Sequence, residues 1–211
     1  PVIDGAVAQN AADALAAAIR LGFPVALKVC SAAVAHKTER GGVSLHLPDA
    51  AALAQAAKDM QERFSGVPHA LLVQKMARPG TELILGGRRD PVFGPVVLAG
   101  IGGVFAEIFR DTAVDLAPVD EKGALALLGR LKGAALLSGY RAQAPLDLAA
   151  VAGAVAALSR LLTERADILE IDINPLIAYP EGVVAVDALV RLQPPRTAAS
   201  RKHPDPSTCA P

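Results

Sequence analysis

The apolar residues of this chain make up 52% of its 211 positions, yet they come only in short runs. The longest, Leu148–Leu158 and 95–106, stop well short of the roughly 20 residues that a membrane-crossing helix needs. Such a chain can bury its apolar surface only by stacking many short elements. With aromatics at 3%, Ala, Val and Leu must fill the core. The length suits one or two small domains that need no disulfide or metal staple. Lys+Arg and Asp+Glu balance at 21 each, which argues against a polyanion-coated surface and so against a nucleic-acid partner. Cys30 and Cys209 lie too far apart in sequence to form a disulfide framework or a metal spacing, and no basic stretch with an apolar run opens the chain. The expectation is a soluble cytoplasmic protein that makes no contact with a membrane.

Punctuation divides the chain. Asn10 precedes an Ala-rich helix, Ala11–Leu21, which Gly22 ends. Strands are expected at Val25–Cys30, Val43–Leu47 and Ala70–Gln74, with a helix from Asp49 to Arg63 between the last two. From Pro79 the texture becomes glycine-rich, with strand-like pieces at Thr81–Leu85, Val96–Ile101 and Val104–Phe109. Helices follow near Glu121–Leu131 and Asp147–Arg165. Ile168–Ile177 and Val183–Leu189 then read as a hairpin around Tyr179–Gly182. Strands and helices mixed in this order favour an α+β fold. The expected organisation is a first subdomain over 1–77, a second over 78–192, and a Pro-rich tail or linker over 193–211.

Several charges stand alone inside these apolar strands. In Glu170-Ile171-Asp172-Ile173-Asn174-Pro175, alternation places Glu170, Asp172 and Asn174 on one face. Closing the hairpin puts Asn174 opposite or nearly opposite Asp187, and cross-strand Cβ atoms lie about 5 Å apart. An amide oxygen and a carboxylate at that spacing suit Mg²⁺ shared with nucleotide phosphates. The plain alternative is a hairpin with one wet face. Asp187, interrupting a strand apolar on both faces, tips the balance towards the metal. Lys28, the one charge in Val25–Cys30, either snorkels to the edge or meets an anion such as phosphate. Gly41-Gly42 either makes a tight turn or turns N–H groups towards phosphate. His36 is either a solvated loop residue or a carrier of a phosphoryl group. Glu82 and Glu107 are exposed-face residues or members of a nucleotide site.

Taken together, these segments resemble a known family. Gly22-Phe23-Pro24-Val25-Ala26-Leu27-Lys28, His36-Lys37-Thr38-Glu39-Arg40-Gly41-Gly42-Val43, Val73-Gln74-Lys75-Met76 with Gly80-Thr81-Glu82, Arg89-Asp90-Pro91-Val92-Phe93-Gly94-Pro95, Gly102-Gly103-Val104-Phe105-Ala106-Glu107 and Glu170–Leu176 occur in one order. That order is similar to the ATP-grasp domain of ADP-forming acetyl-CoA and acyl-CoA synthetases, relatives of the succinyl-CoA synthetase β subunit. The resemblance implies an ATP-grasp fold of two α+β subdomains with the nucleotide between them. It implies the reaction acid + CoA + ATP ⇌ acyl-CoA + ADP + phosphate, by way of an acyl phosphate and a phosphohistidine on a CoA-binding partner domain or subunit. An oligomer is compatible with that reading.

By the same resemblance, Lys28, Gly41 and Gly42 would hold nucleotide phosphates. Gln74, Lys75 and Met76 would form the adenine hinge, with Glu82 beside the nucleotide. Asn174 and Asp187 would bind Mg²⁺. His36 would relay the phosphoryl group, Asp172 would orient the phosphohistidine, and Glu107 would act with them. The departures are Asp115 in place of a frequent Arg, and Ala142-Gln143-Ala144-Pro145 after Arg141. A second class of protein with such a region is a lysine acetyltransferase, in which the synthetase-like part is regulatory. A carboxylate-amine ligase on the same nucleotide fold would carry a different loop at His36-Lys37-Thr38.

Overall fold

The structure is a computed structural model that describes residues 1–34, 37–103, 110–140 and 144–193. The first sheet has the order β1-β4-β2-β3, from β1 (Gly5–Ala8), β2 (Val25–Cys30), β3 (Val43–Leu47) and β4 (Ala70–Lys75), with every pair antiparallel. Helices α1 (Ala11–Leu21) and α2 (Ala50–Arg63) cover one of its faces. Each starts on a cap: Asn10 Oδ1 accepts from Asp13 N at 2.9 Å and Asp49 Oδ1 from Ala52 N at 2.9 Å. Gly22, at φ 83°, ends α1. Small residues, Ala14, Ala17, Ala18 and Ala57, let both helices sit close to Val25, Leu27, Leu71 and Val73. The opposite face of the sheet, with Ala26, Lys28, Val43, Leu45 and Gln74, carries no helix and is one wall of a cleft.

The second sheet comprises β5 (Thr81–Asp90), β6 (Gly94–Ile101), β7 (Thr112–Leu116), β8 (Ile168–Ala178), β9 (Val183–Ala185) and β10 (Ala188–Leu192). Its order is β10-β8-β5-β6-β7, with β9 pairing β8. Helices α3 (Glu121–Gly129) and α5 (Leu148–Glu164) pack on one face, and the short α4 (Ala134–Leu137) lies between them in sequence. The buried stripe of α5, Val151, Val155, Leu158 and Leu162, has helical spacing. It meets Leu85, Val97, Ala99 and Ile171 in one core.

Two invariably polar-looking segments of the sequence turn out to be architectural. The Arg89 guanidinium donates to the carbonyls of Leu162, Arg165 and Ile168, so it caps the C-terminal end of α5. Asp147 accepts from Ala150 N at the start of α5 and from Gly182 N in the β8–β9 turn, both at 2.9 Å.

Three expectations change. The strand at Thr81 continues to Asp90, because Gly86 and Gly87 pair in register with Asp172 and Ile171 and do not break it. Strand β1 and helix α4 were not foreseen, each being too short to show a period. The strand expected over Val183–Leu189 is two strands separated at Val186-Asp187. Asp187 therefore does not interrupt a buried strand, and its side chain keeps 30% exposure. The expected strand Val104–Phe109 and most of the tail over 193–211 lie outside the described residues. Among the described residues no helix is long and apolar enough to cross a membrane.

Candidate functional site

A cleft of about 490 Å³ separates the bare face of the first sheet from one end of the second. Lys28 projects into it from β2 because alternation sends Leu27 and Val29 to the other face. It is 4% exposed, and its Nζ donates to the Val186 carbonyl across the cleft at 3.1 Å. Burial lowers its ammonium below the usual lysine value, and the Asp187 carboxylate opposes that shift.

On the facing side, Asn174 N donates to Asp187 O at 3.1 Å and Val186 N to Pro175 O at 3.0 Å. The Asn174–Pro175 peptide is cis, and the pairing of β5 with β8 shifts register there. Asn174 and Asp187 line the cleft, whereas Glu170 and Asp172 line a second depression on the open face of the large sheet. Asp172 sits in a row between Leu189 and Gly86 there. Burial pushes its carboxyl above the ordinary range, and the charges of Glu170 and Asp187 add to this. Arg191 pairs with Glu170 at 3.2 Å.

Gln74, Met76 and Glu82 line the cleft together with the segment from Ala77 to Gly80 that joins the two sheets. Lys75 lines it too, although it is an exposed residue. Gln74 is 6% exposed, and its Oε1 is buried with no hydrogen-bond partner among the described residues. An orphan acceptor of that kind costs free energy until a donor reaches it, which fits a site that awaits a ligand. Gly102 N donates to Glu82 O at 2.7 Å, fixing the backbone beside that acid.

The glycine pair stands differently from the expectation. Gly41 N donates to Thr38 O at 3.0 Å and Gly42 N to Lys37 O at 2.7 Å, so both amides close their own loop, and neither glycine lines the cleft. At φ 66° Gly41 takes a left-handed turn, and a Cβ on Gly42 would lie 2.5 Å from Val29 Cγ1. These glycines serve the turn in this conformation. His36 and Glu107 lie outside the described residues.

Residues that the sequence did not single out also line the cleft or border it. Lys37 Nζ pairs with Asp187 Oδ1 at 2.9 Å. Thr38, Val43, Leu45 and His46 complete the first wall, with His46 at φ 56° beside an irregularity in the β2–β3 pairing. The Arg78 guanidinium stacks over Tyr179, whose hydroxyl donates to Arg78 O at 3.0 Å, tying the joining segment to the second sheet. Only the Lys37 position carried a signal, a second lysine in the polar loop. Asp115, the departure from the family pattern, pairs with Arg130 at 2.9 Å, away from the cleft.

A basic wall, an apolar floor and an unpartnered buried acceptor suit a polyphosphate-bearing base. Asn174 and Asp187 offer only oxygen donors. Among the described residues no group of three or more His, Cys, Asp or Glu could hold a metal. A cation here would thus share its coordination with a ligand's oxygens, as Mg²⁺ does with phosphates.

Comparisons with known proteins place the chain in a family. The chain is 40% identical over 194 residues to trans-feruloyl-CoA synthase FCS1 of an unknown prokaryotic organism, covering 88% of this chain and 27% of that protein. It is 34% identical over 193 residues to the β subunit of the ADP-forming acetate–CoA ligase I of Pyrococcus furiosus, covering 89% of this chain and 83% of the subunit. The chain thus spans about a quarter of the first relative and most of the second. Among solved structures, the dinucleotide-forming acetyl-coenzyme A synthetase 1 of Ca. Korarchaeum cryptofilum superposes with a TM-score of 0.78 at 38% identity. That match covers 92% of this chain and 85% of the other. That structure holds coenzyme A and Mg-AMPPCP, with its phosphohistidine segment pointing towards the nucleotide binding site. The family described as the ATP-grasp domain matches residues 1–192, and the chain belongs to it.

Proposed function

We propose that this chain is the ATP-binding, phosphoryl-transferring part of an ADP-forming acyl-CoA synthetase, working with a CoA-binding domain or subunit that carries the phosphohistidine. The observation that carries the reading is the convergence of Lys28, Gln74, Glu82, Asn174 and Asp187 on one cleft between two sheets. The likeness to an acetyl-coenzyme A synthetase holding Mg-AMPPCP supports it. The units are residues 1–77 and 78–192, with the nucleotide between them and a Pro-rich tail or linker over 193–211.

In this reading Lys28 neutralises phosphate oxygens, and the Gln74–Met76 strand end and Glu82 hold the base and sugar side. Asn174 and Asp187 would hold Mg²⁺, which, when bound, offsets charge on the β- and γ-phosphates. The His36 nitrogen attacks the γ-phosphorus as the bond to the β–γ bridging oxygen breaks, ADP leaves with that electron pair, and the partner's histidine nitrogen then takes the phosphoryl group as its bond to His36 breaks. The phosphoryl group then passes to the carboxylate of the acid. CoA sulfur displaces phosphate from the resulting acyl phosphate, which closes acid + CoA + ATP = acyl-CoA + ADP + phosphate. His36 is assigned a relay role and Glu107 a place beside it. Asp172, on the open face, would orient the incoming phosphohistidine. Because little bonding changes at the protein itself, the site acts by positioning and charge neutralisation.

The experiment supplies Mg-ATP labelled at the γ-phosphate together with the phosphohistidine-bearing partner. Label on the partner and release of ADP are expected. No transfer by the wild-type chain overturns the proposal, and undiminished transfer by His36→Ala removes the relay.

A further inference from the structure

Two lysines, Lys28 on β2 and Lys37 in the loop between β2 and β3, reach the corner between β9 and β10, and they bind it in different ways. Lys28 takes the Val186 carbonyl at 3.1 Å, while Lys37 takes a carboxylate oxygen, Asp187 Oδ1, at 2.9 Å. That oxygen also accepts from Ala188 N at 3.0 Å. We propose that Lys37 occupies the cation position of Asp187 while the cleft is empty, and that a divalent metal arriving with the nucleotide displaces it. The inference rests on the reading of Asp187 as a metal ligand.

Three observations lead to it. First, Asp187 Oδ1 already has two donors, so a metal bonding that oxygen at about 2.1 Å competes with both, and the mobile one is the lysine. Backbone Ala188 N is fixed by strand β10; the lysine stem is not. Second, an ammonium held beside Asp187 would face a divalent ion at close range, and like charges at that distance repel in a half-buried site. Third, the remaining bonds of the Lys37–Gly42 loop stay on its own side of the cleft. Gly42 N donates to Lys37 O and Gly41 N to Thr38 O, Arg63 donates to Gly41 O, and Arg40 lies over Phe64. The Lys37–Asp187 pair is thus the tie from this loop to the second sheet. Metal binding would cut that tie and leave the Lys37 ammonium facing phosphate oxygens. Cation binding and the position of the loop that follows His36 in sequence are thereby coupled.

The test measures Mn²⁺ affinity in the presence of saturating ADP, from the electron paramagnetic resonance signal of free Mn²⁺. It compares wild type, Lys37→Met, Lys37→Gln, Lys37→Arg, Lys28→Met and Asp187→Asn. Removing a partly exposed ion pair should tighten Mn²⁺ binding about fivefold in Lys37→Met and Lys37→Gln. Lys37→Arg, which keeps the pair, should match wild type, and Asp187→Asn should lose the binding. Unchanged or weaker Mn²⁺ affinity in both neutral Lys37 variants overturns the inference. An equal gain in Lys28→Met also overturns it, by assigning the effect to net charge. Undiminished binding in Asp187→Asn instead overturns the metal-ligand reading beneath it, so the two failures are told apart.

Discussion

At the scale of single residues, the charges isolated inside apolar strands are what made the site legible. Lys28 stood alone in Val25–Cys30, and the structure gives it 4% exposure and a carbonyl partner across the cleft. If it also meets phosphate, Lys28→Met should weaken Mg-ADP binding by about tenfold or more, since hydrogen bonds between charged groups are the strong ones. Calorimetric titration reads this directly. Asp172 offers a test with a pH signature. Its carboxyl is raised above the ordinary value, by burial first, so the folded state holds its proton more tightly than the unfolded chain does. Stability from this group therefore falls as pH rises from the ordinary Asp range through the raised value. Asp172→Asn should raise the melting temperature at pH 7, with the gain fading below the ordinary Asp range, while label transfer to the partner drops. An unchanged melting curve at both ends of that window contradicts the burial argument. The pairing of Lys37 with Asp187 and the orphan Gln74 oxygen were not legible, because each depends on what faces the side chain from 150 residues away or fails to face it at all.

At the scale of elements, caps and periods located the long helices well, and short or broken strands poorly. Helices α1, α2 and α5 follow Asn10, Asp49 and Asp147 as the sequence suggests. The hairpin of β8 with the later strands was found, but its split at Val186-Asp187 was not. Nothing in Val183–Leu189 announces that the chain will turn a polar corner there. Beside the turn between β5 and β6, Arg89 also caps α5, which nothing local to it announces. Arg89→Ala should cost about 1–2 kcal/mol of stability, as the loss of charge-assisted bonds to partly exposed carbonyls does, and leave nucleotide affinity intact. Denaturant unfolding and a binding titration separate the two effects. In the Lys37–Gly42 loop, Gly42→Ala would press a methyl group against Val29 Cγ1 and the Lys37 carbonyl. A loss of about 1–3 kcal/mol is expected, visible as a lower melting temperature.

At the scale of the whole molecule, two sheets present their bare ends to one cleft, joined by the segment from Ala77 to Gly80. A ligand there touches both units, so it should stabilise the fold as one body. Mg-ADP at about 100 times its dissociation constant should add about 2.7 kcal/mol, and the double variant Asn174→Ala, Asp187→Ala should remove most of that rise in thermal unfolding. A rise undiminished in the double variant would place the nucleotide elsewhere. Local information in the sequence determined the helices with their caps, the alternation that sends Lys28 away from the core, and the charges that need partners. Hydrophobic period and cap chemistry act over a few residues, so the chain states them openly. Only the tertiary structure decided that the chain breaks at Val186-Asp187 and brings Asp187 to the cleft beside Asn174. It also decided that the Gly41 and Gly42 amides serve their own loop, and that Lys37 meets Asp187. The meetings at Asp187 depend on register between distant strands, and register is settled by packing across the whole sheet.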